Sequence, residues 1–171
     1  MRTLKLSVTS LLMCALCTIS AKAQTETSIG GLIAYGTEVE SIGIGANAEF
    51  PIIENLTVSP SFIYYFPKDE VGVKINWFEI NANANYYFVN QDNLGVYGLA
   101  GLNYSSINVK LTGAAAAFGQ NLSASDGSLG INLGGGANFE LNGGLTLFSE
   151  LRYVVIDRGQ LVLAAGVRFK I

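Results

Sequence analysis

Hydrophobic and polar residues alternate with a period of two from Trp77 to Phe88. The phase that begins at Phe78 reads Phe, Ile, Ala, Ala, Tyr, Phe, and the phase that begins at Trp77 reads Trp, Glu, Asn, Asn, Asn, Tyr. In a helix of 3.6 residues per turn the asparagines would be spread around the cylinder, so the pattern predicts a strand. Its length is about that of a strand that crosses a bilayer.

Seven further segments show the same alternation and are separated by turn signals. The complete set of predicted strands is 28–35, 42–50, 56–66, 77–88, 94–104, 129–141, 145–155 and 161–171. Pro51 is expected to end the second strand, and Asn142-Gly143 is a strong hairpin signal before the seventh. Residues Ser105 to Gly127 form the one long connection, which we interpret as a loop.

Each predicted apolar face carries an aromatic residue at or near one end of its strand. The odd-numbered strands contribute Tyr35, Phe66, Tyr104 and Tyr153, and the even-numbered strands contribute Phe50, Phe88, Phe139 and Phe169. In an up-and-down barrel these sets form two aromatic girdles, one at each face of a bilayer. The pattern therefore predicts an all-β fold, a closed eight-stranded antiparallel transmembrane β-barrel.

Two soluble all-β folds are the alternatives. Core aromatics of a β-sandwich have no reason to occupy strand ends in one phase. A lipocalin-like barrel would expose to water a face of Gly, Asn and Tyr with few charges. The chain has 13% charged and 50% hydrophobic residues, and a soluble surface usually has about twice that share of charge.

The first 23 residues have the features of a secretory signal. Arg2 and Lys5 precede an apolar run, and Ala21-Lys22-Ala23 fits a cleavage site. A membrane anchor is the alternative, but the run is too short to span a bilayer. We therefore expect export and a barrel domain of residues 24–171, which contains no cysteine for a disulfide or thiolate metal site.

The ionisable residues favour a structural over a catalytic role. The chain has no histidine, the usual base and metal ligand, so no enzyme, cofactor or metal is expected. Its formal net charge of −3 is unsuited to nucleic-acid binding. The inward phases contain Glu49, Glu79, Glu140, Glu150, Arg152, Arg168 and Lys170. Paired carboxylates could in principle do acid–base chemistry, which leaves a lumenal enzyme as a remote alternative, but we interpret this set as an ion-pair network that fills a polar lumen.

The apolar phase reverses after Tyr104. Ile107, Val109 and Leu111 fall on the inward phase, as does Leu122 on the returning side. This predicts a hairpin that protrudes beyond the membrane, with these residues packed above the barrel mouth and Phe118 as a possible cover. Such a segment is the expected partner-binding surface, by strand pairing or by its tip.

The signal, the eight strands, their aromatic ends and the closing Ala165-Gly166-Val167-Arg168-Phe169-Lys170-Ile171 resemble a known family. The chain is similar to the small eight-stranded outer-membrane β-barrels of Gram-negative bacteria, of the OmpA, OmpX and OmpW kind. The resemblance implies a monomer in contact with outer-membrane lipid and lipopolysaccharide, with termini and short turns in the periplasm and four loops at the cell surface. It also implies that the outer-membrane assembly machinery reads the last strand. That strand usually ends in an aromatic residue but here ends in Ile171, and Pro60 in mid-strand is a second departure.

Members of that family are structural components, surface adhesins or narrow, porin-like passages for small apolar solutes. The first hypothesis for this chain is thus a structural or adhesin-like surface role with a plugged lumen, and the alternative is a narrow channel.

Overall fold

The computed structural model describes residues 26–70, 73–91, 93–111, 123–141, 143–157 and 159–171. The predicted signal lies outside the described residues. Eight strands are present in the described chain: β1 (Ser28–Gly36), β2 (Ser41–Ile53), β3 (Leu56–Glu70), β4 (Val73–Gln91), β5 (Leu94–Leu111), β6 (Ser123–Leu141), β7 (Leu145–Val155) and β8 (Gln160–Lys170). Each pairs antiparallel with the next, and β8 pairs with β1. The predicted closed eight-stranded barrel is confirmed.

The two phases of each strand face opposite environments. On β7, buried Phe148 and Val154 alternate with Leu147, Leu151 and Tyr153, which are 42–49% exposed on the outside. The eight girdle aromatics all lie on the outer surface, from 38% exposed for Tyr104 to 70% for Phe88. No helix of the described residues is long and apolar enough to cross a membrane.

The two ends of the barrel differ. Ser28 and Lys170 are paired, so both ends of the described chain meet at one end of the barrel, together with the turns near residues 54–55, 93 and 143–144. We call this the terminal end. The other end, which we call the loop end, carries the remaining connections.

Four strands continue beyond the barrel at the loop end. β3, β4, β5 and β6 have 15, 19, 18 and 19 residues, whereas β1, β7 and β8 have 9, 11 and 11. Pairing between β5 and β6 runs from Leu94↔Phe139 to Lys110↔Ser123. We call the projecting four-stranded sheet the β3–β6 extension.

The strand continuation expected from the reversed apolar phase is confirmed, and the description of Ser105 to Gly127 as a loop is too broad. The first seven residues of that segment belong to β5 and the last five to β6, while β3 and β4 also pass the predicted limits at Phe66 and Trp77. The apolar phase reverses while the strands continue, so the reversal does not mark the end of a strand. The side chains of Leu111, Leu122 and Phe118 lie outside the described residues.

The prolines behave differently from one another. Pro51 does not end β2, which continues to Ile53 with Pro51 opposite Thr57 and an irregularity just beyond. Pro60 pairs with Ala82 of β4, but the β2–β3 register has no pair there between Asn47↔Ser61 and Phe50↔Val58. Proline has no N–H to donate, so pairing with β2 is interrupted at Pro60 while pairing with β4 is kept.

Candidate functional site

The lumen has an apolar side and a polar side. The apolar side comes from strands β1, β3, β7 and β8 and consists of Leu32, Ala34, Ile63, Tyr65, Phe148, Val154, Val162 and Ala164. The polar side comes mainly from β4, β5 and β6. The buried residues of the described chain are mostly polar, as predicted, but the inward phases of β1 and β8 add small and branched apolar residues that gather on one side.

Asparagines crosslink the polar side. The amide nitrogen of Asn132 donates to the amide oxygens of Asn81 at 2.9 Å and Asn83 at 2.8 Å. The Asn103 amide nitrogen donates to the same Asn81 oxygen at 2.8 Å, and Ser105 donates to Asn103 at 2.8 Å. An amide both donates and accepts, so a few short side chains tie three strands together across the interior.

The first charged layer is centred on Arg152 and lies toward the loop end. Its guanidinium donates to Glu150 at 2.9 Å and to Glu79 at 3.2 Å. Glu79 also accepts from the Gln160 amide at 2.5 Å, and the Gln160 oxygen accepts from the backbone N–H of Val39 at 3.2 Å. Glu79 is fully buried and Arg152 is 2% exposed. The layer therefore connects β4, β7 and β8 with the β1–β2 turn.

The second charged layer is a closed ring toward the terminal end. Arg168 pairs with Glu49 and donates to the Asn138 oxygen at 2.8 Å. The Asn138 nitrogen donates to the Tyr87 hydroxyl at 2.6 Å, and that hydroxyl donates to Glu49 at 2.5 Å.

Three further side chains complete the second layer. Thr57 donates to Glu49 at 2.6 Å. The Arg168 guanidinium also lies 4.4 Å from the centre of the Phe148 ring, within cation–π range. Tyr97 packs against Tyr87 with ring centres 5.1 Å apart. Aromatic rings and the ion pair together occupy this level of the lumen.

Glu140 and Lys170 lie at the terminal rim. Their side chains are 2.9 Å apart, and both are substantially exposed, at 48% and 32%. The seven ionisable residues singled out in the sequence are thus distributed over two buried layers and one exposed pair. Across the described residues, no group of three or more His, Cys, Asp or Glu side chains is placed to hold a metal ion.

Sequence reasoning did not assign the residues that complete these layers. Gln160, Asn138 and Thr57 were not singled out, although each carries a polar side chain on an inward phase. Alternation gives the face on which a residue lies. To identify the hydrogen-bond partner of an inward side chain, one must also know which residues lie at the same depth in the lumen, and Gln160 and its partner Glu79 are 81 positions apart in sequence.

A cavity opens at each end of the lumen. The terminal-end cavity has a volume of about 140 Å³ and includes Glu49, Tyr87 and Arg168 in its lining. The loop-end cavity, which we call the loop-end vestibule, has a volume of about 380 Å³ and reaches Gln160. The two charged layers lie between these cavities.

A family model described as "Outer membrane protein beta-barrel domain" matches residues 9–169. Among solved structures, the N-terminal barrel domain of Pseudomonas aeruginosa OprF has 15% identity, covers 86% of this chain and 98% of its own, and gives a TM-score of 0.67. Neisserial surface protein A has 19% identity, covers 85% and 95%, and gives 0.60.

The attachment invasion locus protein of Yersinia pestis is also similar. It has 19% identity, covers 84% of this chain and 97% of its own, and gives a TM-score of 0.57. At such identities the solved structures support the fold alone. Comparison with curated proteins gave no match.

Proposed function

We propose a surface-interaction role for this protein, which belongs to the family of outer membrane protein beta-barrel domains. The family places it in the bacterial outer membrane. The proposal adds that the loop end faces the outside of the cell, that the lumen is plugged, and that the β3–β6 extension binds a partner.

The observation that carries the proposal is an unprotected strand edge on the extension. β7 ends at Val155, opposite Ile131, so residues 123–129 of β6 have no strand partner on that side in the described chain. Their sequence, Ser-Ala-Ser-Asp-Gly-Ser-Leu, is dominated by small side chains and contains neither lysine nor proline. An exposed edge with accessible N–H and C=O groups is a template for a strand from another protein.

The opposite edge of the extension, formed by β3, is protected against strand pairing. Beyond Tyr65, β3 is no longer paired with β2, and there it carries Pro67 and an irregularity in its pairing with β4. Proline and a bulge are devices by which natural sheets prevent edge pairing. One edge is protected and the other is not, so we assign partner binding to β6.

A cell-adhesion experiment tests the proposal. The wild-type chain would be expressed on Gram-negative cells, and adherence to host cells and to other bacteria would be counted. Ser125→Lys places an edge-blocking charge on β6. Ser106→Lys places the same charge on β5, two residues from Asn108, the register partner of Ser125, where β5 is paired on both sides.

We expect adherence to fall for Ser125→Lys and to persist for Ser106→Lys. Equal loss in both variants would instead indicate a charge effect without strand pairing. Full adherence in Ser125→Lys, at equal surface expression, would contradict edge binding.

A narrow channel for small or apolar solutes is the second candidate. The two end cavities favour a channel, because a solute that enters either cavity has only the section of the lumen between Gln160 and Arg168 left to cross. Two buried layers of ion-paired side chains in that section weigh against it, since breaking a buried ion pair is strongly unfavourable.

A further inference from the structure

We propose that the loop-end vestibule is a binding site for a small organic cation with an apolar body, such as an aralkylammonium group. This site lies inside the barrel mouth and does not depend on strand pairing at the β6 edge. Three properties of the cavity carry the inference: the charge of its rim, the nature of its wall and the charge of the layer beneath it.

The rim is acidic. Asp126 of β6 and Asp157 of the β7–β8 turn both line the opening, and both are exposed. No lysine or arginine occurs among the described residues that line the vestibule. Two separate elements thus direct carboxylates to one opening, where the low-dielectric walls strengthen the field on a cation.

The wall is apolar and aromatic. Trp77, Ile107, Val154 and Ile156 contribute it, and Trp77 and Ile107 are register partners on β4 and β5. Tryptophan is the side chain best suited to a cation–π contact. A volume of about 380 Å³ is far larger than a metal ion requires and falls at the lower end of small-molecule pockets.

The buried layer beneath the vestibule carries an excess of negative charge. Gln160 lines the vestibule and donates to Glu79, and Glu79 shares the single guanidinium of Arg152 with Glu150. The second layer, in contrast, pairs Glu49 with Arg168 one to one. An incompletely neutralised buried anion favours a nearby cation, and the vestibule is the adjoining cavity.

Trp77 is the only tryptophan of the chain, so its fluorescence reports on this wall directly. The refolded protein in nonionic micelles would be quenched with caesium, iodide and neutral acrylamide, each normalised to N-acetyltryptophanamide in the same micelles. We expect caesium to quench Trp77 more than iodide does. Equal normalised quenching by the two ions would overturn the acidic vestibule.

Binding would be measured by titrating phenethylammonium against 2-phenylethanol, its uncharged analogue. We expect a saturable change in Trp77 fluorescence with the amine alone, and about tenfold weaker binding in Asp126→Asn/Asp157→Asn, as two partly solvated charge pairs are lost. Glu26→Gln/Glu54→Gln is the matched control, because it removes two exposed carboxylates at the terminal end.

The control should bind like the wild type, and heat-dependent electrophoretic mobility would confirm that every variant is folded. Equal saturation by the alcohol, or undiminished amine binding in Asp126→Asn/Asp157→Asn, would overturn the proposal. Neither readout involves adherence, so failure of this site is distinguishable from failure of the β6 edge.

Discussion

Replacing Arg168 by methionine should destabilise the barrel strongly. The change removes the ion pair with Glu49, the 2.8 Å hydrogen bond to Asn138 and the cation–π contact at 4.4 Å to Phe148. Glu49 is only 7% exposed and would be left without its cation partner. Breaking a buried pair in this way costs about 3–5 kcal/mol.

The companion change Glu49→Gln separates charge from hydrogen bonding. The glutamine oxygen can still accept from Thr57 and Tyr87, which now lie 2.6 and 2.5 Å from the carboxylate. The single change leaves Arg168 charged and buried, so it is also unfavourable. In Glu49→Gln/Arg168→Met no buried charge remains in this ring, and we expect the double variant to be more stable than the sum of the single effects by about 2–3 kcal/mol.

Urea unfolding in lipid vesicles, followed by Trp77 fluorescence, would give the four free energies of this cycle. If Glu49 and Arg168 interact as the ring indicates, the double variant is more stable than the sum of the two single effects. Single effects that add to within about 0.5 kcal/mol would show that Glu49 and Arg168 are not energetically coupled, and would refute the reasoning.

Three other outcomes follow from the barrel. Leu133→Lys places a charge on the outer surface, where Leu133 is 51% exposed, and should destabilise the membrane-inserted protein by about 2–4 kcal/mol. Ser125→Lys lies in the same phase of β6 but beyond the membrane and should be tolerated. Urea unfolding in vesicles measures both free energies, and equal losses would contradict the assigned membrane boundary. Unboiled protein should migrate differently from boiled protein on electrophoresis because a closed barrel has no free edge in its membrane-spanning part, and identical mobilities would argue against closure. Amides of residues 106–110 in β5 should exchange slowly because β5 is paired on both sides in the extension, and fast exchange throughout would show that the extension is not ordered.

Alternation was sufficient to predict the strands within the membrane, because lipid on one side and a packed lumen on the other impose a strict period of two. Past Tyr104 the apolar phase reverses, and that reversal predicted the projecting hairpin that the continuation of β5 and β6 confirms. Alternation did not give the limits of these strands, because the contrast between lipid and lumen ends there. Pro51 was misinterpreted as a strand end because β2 tolerates it beside an irregularity.

The charged residues show a second limit of the sequence. Arg152 and Arg168 were assigned to the interior from their phase alone, but the pattern does not indicate that Arg152 bonds two carboxylates and Arg168 one. That difference arises because Glu79 of β4 reaches Arg152 across the lumen, while Glu150 lies two residues from Arg152 on β7. The phase of β8 likewise places Val162 and Ala164 inward, but alternation does not indicate that they gather with Leu32 and Ile63 into one apolar side of the lumen.

Single-channel recording in planar bilayers tests the plugged lumen most directly. If the lumen is plugged, the wild-type protein gives no reproducible conductance steps, and steps appear when the arginines of the charged layers are removed in Arg152→Ala, Arg168→Ala or the double variant. Reproducible steps in the wild-type protein would contradict the plug and establish the channel as the better description.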